Sequence, residues 1–112
     1  MTQTQGWKEL YSKEIQQAED AQLSGNEGRA RVCARRAAGI VIGEYLSRID
    51  GDFIDHGAYD NLRYFITLPD VSPRLKEIVS YFVLRVDVNH ELPIDVDLIE
   101  EVQKLKGEFD FV

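Results

Sequence analysis

Apolar residues recur at helical spacing along most of the chain, and the recurrence predicts four or five helices with no confident strand. The first helix is expected from about Gly6 to Gln22. Trp7, Tyr11, Ile15 and Ala18 share one side and leave Lys8, Glu9, Lys13 and Glu19 to solvent. Ser24-Gly25-Asn26-Glu27-Gly28 breaks it. Either Ser24 or Asn26 suits the cap of the next helix, and Ser24 with Glu27 has capping-box spacing. The second helix, about Glu27 to Ser47, is thin in its first half, where Ala30, Cys33, Ala34, Ala37, Ala38 and Gly39 follow one another. Ile40, Val41, Tyr45 and Leu46 give its second half bulk.

An acidic, irregular stretch from Asp50 to Asp55 reads as a loop. A short helix from about Ala58 to Leu68 offers Tyr59, Leu62, Phe65 and Ile66 on one side, and Pro69 stops it. Ser72 before Pro73 makes a good start for the next helix, the serine as cap and the proline in the first turn. That helix carries Leu75, Ile78, Val79 and Phe82. Its later part, Val79 to Val88, is rich in β-branched and aromatic residues, so a strand competes there. The last helix opens at Asp95 or Asp97, carries Glu100 and Glu101 early and Lys104 and Lys106 late, and should stop at Gly107. The expected fold is all-α: one domain over residues 1–112, an antiparallel bundle of four main helices plus one short helix.

Charge narrows the partners. With 13 Lys plus Arg against 20 Asp plus Glu, the net charge of -7 disfavours tight non-specific nucleic-acid binding. The single cysteine excludes an internal disulfide framework and a cysteine-rich zinc site. No basic segment followed by an apolar run opens the sequence, and the most apolar stretch, Ala37 to Leu46, is half a membrane span, so a cytoplasmic location is expected.

Several chemistries fail at the level of residue type. No glycine-rich phosphate loop is present, because Gly25-x-x-Gly28 and Gly39-x-x-x-Gly43 lack the lysine and the strand-turn-helix setting. No serine stands in a nucleophile elbow. Cys33, within a small-residue helix face, reads as a packed thiol. Asp50, Asp52, Asp55 and His56 are metal-ligand types, but an EF-hand counted from Asp50 puts Ile54, Asp55 and Asn61 at its fifth, sixth and twelfth places, so no metal or cofactor is expected.

Two constellations remain. Arg29, Arg31, Arg35 and Arg36 fall within eight residues; residues 26–48 hold five positive and two negative side chains, whereas residues 85–112 hold three and eight. Arginine forks suit phosphate, so Arg31, Arg35 and Arg36 are candidate ligand contacts. The other reading pairs them with the acidic C-terminal segment, within the chain or across a dimer. The second constellation is Arg85-Val86-Asp87-Val88-Asn89-His90. On a continuous helix Arg85 would share the stripe of Ile78 and Phe82. Arg85 stabilising phosphorane charge and His90 moving a proton would suffice for metal-independent RNA cleavage. Structurally, Arg85 could instead bond Asp87 or Asp95 and fasten the last helix.

These features together resemble the HEPN superfamily of small helical domains. The resemblance lies in the aromatic opening of the first helix, in Cys33-Ala34-Arg35-Arg36-Ala37-Ala38, and in the order of elements from Leu75 to Lys106 with Arg85-x-Asp87 between helices. Val86 and the pair Gly39-Ile40 depart from the residues usual in that superfamily. The resemblance implies a helical binding module for a nucleotide, an RNA phosphate or a protein partner, paired as a homodimer through the thin face of the second helix. It also implies the enzymatic alternative, a ribonuclease with Arg85 and His90 as catalytic residues. A non-catalytic adaptor, whose acidic last helix meets a basic partner, is the third class.

Overall fold

The computed structural model describes residues 6–84 and 96–109 and is all-α over them. Five helices follow in order: α1 (Trp7–Leu23), α2 (Glu27–Ile49), α3 (Ala58–Thr67), α4 (Pro73–Tyr81) and α5 (Leu98–Glu108). None is long and apolar enough to cross a membrane.

Local chemistry sets the boundaries. After α1 the chain reverses at Gly25, whose φ of 81° favours a residue without Cβ. Ser24 serves the end of α1, its hydroxyl donating to the Ala21 carbonyl at 3.0 Å. Asn26 caps α2, accepting the Arg29 N–H at 3.1 Å, so the Ser24–Glu27 capping box is not formed. Ser72 caps α4 through the Leu75 N–H, with Pro73 in the first turn as its sequence implies. Asp97 caps α5 by accepting from both Ile99 and Glu100. Gly107 does not stop α5, which runs on to Glu108.

α2 is the central element, in contact with α1, α3 and α5. Its alanines at 34, 37 and 38 and Cys33 are fully buried. Neighbouring helices of the same chain fill this thin face. Small residues there let helix backbones approach, and Gly39 packs directly against Ala58, the first residue of α3. Phe65 and Phe82 are the largest fully buried side chains, each stabilising by roughly 2–3 kcal/mol on transfer from water. Phe109, after α5, closes one end, its ring tilted against Tyr45 at 5.1 Å and edge-on to Phe65 at 6.1 Å.

α4 ends at Tyr81, with Phe82 as its C-terminal cap. The helix does not continue through residues 82–84. No strand occurs among the described residues of the β-rich stretch, which end at Leu84.

Candidate phosphate-binding surface

The four clustered arginines of α2, at positions 29, 31, 35 and 36, differ in their contacts. Arg29 donates to the Gln17 side chain of α1 at 3.1 Å. Arg31, partly buried, lies 3.9 Å from the exposed Glu27 one turn earlier, a long pairing that adds little. Arg35 is half-buried, and its Nε donates to the Phe82 carbonyl at 2.9 Å. That bond ties α2 to the end of α4, where the carbonyl has no partner within its own helix. The partner of Arg35 is thus a backbone carbonyl, not an acid of the last helix. Arg36 is exposed.

Arg36 lines a cleft of about 230 Å³ together with Glu14, Asp55 and Asn61. The Asp55 carboxylate accepts the Gly57 N–H at 2.8 Å and the Asn61 side-chain amide at 2.9 Å, which fixes the entry to α3. One oxygen of Glu14 is buried without a hydrogen-bond partner among the described residues. Two carboxylates to one guanidinium make this cleft a poor host for phosphate, whatever the pull of the α3 amides.

The other flank of the α2–α3 crossing differs. Tyr59, half-buried on α3, has the Arg35 guanidinium 6.0 Å from its ring centre and the Arg63 guanidinium 5.7 Å from it. Arg63 follows Tyr59 by four residues, so one helix face presents both. Each such contact adds roughly 0.5–1 kcal/mol where exposed. Helical periodicity places Tyr59 on the core side and gives Arg63 no role; their i, i+4 spacing is the signal in the sequence that could have found the pair.

Cys33 is buried, with Sγ 3.9 Å from the Gln17 side-chain oxygen. Burial, then the nearby Glu14 charge, raises its pKa, against the pull of Arg29 and Arg36. That environment suits a packed thiol, not a nucleophile. Among the described residues no group of three or more histidine, cysteine or acidic side chains could hold a metal ion. The acidic loop is ordered by its own bonds instead, as where Asp50 accepts the Asp52 N–H at 2.9 Å. Arg85 and His90 both lie outside the described residues.

Set against known proteins, the chain matches no family model, no curated protein and no solved structure.

Proposed function

We propose that this chain is a HEPN-like helical binding module, an antiparallel bundle that takes a nucleotide or RNA phosphate at the α2–α3 crossing. The observation that carries this reading is the Tyr59 ring flanked by two guanidiniums, one anchored and one exposed. Arginine planes and aromatic rings together are the means by which proteins hold unstacked bases and their phosphates. In this reading Arg63 contacts phosphate, Tyr59 offers its ring to a base, and Arg35 holds Tyr59 and the end of α4 in place. Arg36 adds positive charge nearby. Pairing of two copies belongs to the same proposal and would have to use a surface other than the small-residue face of α2; sedimentation velocity checks it.

The test is fluorescence anisotropy with a labelled single-stranded RNA of about 12 nucleotides, the span of a typical single-strand site. Wild type should bind, and affinity should fall as salt rises from about 50 to about 200 mM. Arg63→Gln and Tyr59→Leu should each weaken binding about fivefold or more, the loss of one stacking or charge contact, with the fold retained by circular dichroism. Absence of binding, or binding indifferent to both substitutions, refutes the proposal. Cleavage of that RNA in EDTA, lost in Arg85→Ala and His90→Ala, would replace it with the ribonuclease reading.

A further inference from the structure

A second surface, apart from the arginine and tyrosine cluster, has the opposite character. The loop between α2 and α3 and the solvent side of α3 enclose a groove of about 360 Å³. Phe53, Ile54 and Tyr64 supply its apolar wall, with Asp50, Asp52 and Asp60 around them. Ile54 is 69% exposed and Tyr64 52%, although both are large and apolar enough to be worth burying. None of the three aspartates enters an ion pair among the described residues. The nearest basic residue before the loop, Arg48, is held by Glu44 at 2.7 Å.

The charges decide what fits. A phosphate-bearing ligand would meet three carboxylates and be repelled. A metal ion is no better served, because the carboxylates do not converge closely enough to ligate one. A cationic side chain next to an apolar one satisfies both halves of the groove: the apolar anchor covers Ile54 and Tyr64 and excludes water, and the cation then meets carboxylates in a less screened setting. The volume lies near the lower end for ligand clefts, about 300–1,000 Å³, which suits a side-chain anchor with its neighbours.

The geometry points to a docking site for a basic segment of a partner protein, one that carries a leucine-like apolar anchor between lysines or arginines. Recognition would be by the apolar wall of Phe53, Ile54 and Tyr64 and by the carboxylates of Asp50, Asp52 and Asp60.

The test titrates the full chain against a fluorescein-labelled peptide in which lysine pairs alternate with leucines. Wild type should bind it, more weakly at higher salt. Asp50→Asn, Asp52→Asn and Asp60→Asn combined should lower affinity about tenfold, and Ile54→Ser about fivefold. All four positions are exposed, so the fold should persist, as circular dichroism will verify. A control that removes equal charge elsewhere, Glu9→Gln with Glu19→Gln and Glu100→Gln, should change affinity less than about twofold if the groove, not net charge, is responsible. Equal losses in the two triple variants overturn the proposal, as does equal affinity for a lysine peptide without leucines. It is likewise overturned if no peptide binds while the chain self-associates and Ile54→Ser abolishes the association, for then the occupant is a second copy. RNA binding is read with other variants, so either surface can fail without the other.

Discussion

Replacing Gly39 with alanine should unfold this protein more readily, although alanine is the better helix former. A Cβ at position 39 would overlap the Ala58 Cβ and lie 2.5 Å from the Ala58 Cα. Comfortable carbon–carbon separation is about 3.5–4.0 Å, so α2 and α3 must part by roughly 1 Å. No rotamer change can relieve this, because the obstacle includes backbone. Overpacking of this kind costs about 1–3 kcal/mol, and the gain from replacing a helical glycine offsets at most about 1 kcal/mol. Since backbone blocks the new Cβ, the cost falls in the upper half of that range, and the expected net loss is about 1–2 kcal/mol, or a fall of roughly 4–8 °C in melting temperature for a chain of this size. Urea unfolding followed by circular dichroism measures it. Gly43→Ala is the internal control. There the new Cβ would meet only side-chain atoms, 3.3 Å from the Asn61 amide nitrogen and 3.5 Å from an Asp55 oxygen, so stability should stay within about 1 kcal/mol of wild type. Adding Ala58→Gly to Gly39→Ala should restore only part of the loss, since it removes the methyl overlap and leaves the α3 backbone in the way. If Gly39→Ala proves as stable as wild type, the close α2–α3 crossing is wrong.

Other outcomes follow from single contacts. Arg35→Ala should cost about 1–3 kcal/mol in chemical denaturation, because it strands the Phe82 carbonyl at the end of α4. Asp97→Ala removes a cap that accepts two N–H groups and should cost about 1–2 kcal/mol in the same assay. Burial pushes the Tyr11 hydroxyl up to about 12, with the Glu19 charge adding to it. Tyr11 in the unfolded chain ionises near 10, so its contribution is intact below that pH and is lost as pH rises from about 10 to about 12. The wild-type minus Tyr11→Phe stability difference should show that fall, and a flat difference would contradict it. Cys33 should resist a thiol reagent in the folded state and react promptly in urea, as absorbance on labelling will report.

Helix boundaries were legible where one residue type admits one role. Ser72 before Pro73, Pro69 after α3, and the acidic start of α5 all appear where the sequence puts them. Ambiguity arose where two residues could do one job: Ser24 and Asn26 both cap well, and only the path of the turn decides that Asn26 does so. Gly107 looked like a stop, yet a glycine ends a helix only if the chain turns there. The site was harder to see. A run of arginines says nothing of their partners, and the bond of Arg35 spans 47 positions to a carbonyl that no side-chain pattern encodes. Tyr59 and Arg63 were hidden for the converse reason, because an aromatic among Leu62, Phe65 and Ile66 reads as core. The small face of α2 signalled close packing correctly but could not say whether the neighbour was the same chain or another.

That face also makes the molecule's tolerance of change one-sided. A core built from large side chains can vary downward, since a lost methylene leaves a cavity that the surroundings partly close. The buried alanines and glycines of α2 stand already at the bottom of the size scale, so nearly every substitution there is an enlargement. Because α2 is shared by three neighbouring helices, a methyl group added against a neighbour's backbone, as at Gly39, displaces an entire helix, not one side chain. Divergence of this sequence should therefore accumulate in its large residues and surface charges, while the thin half of α2 stays nearly frozen.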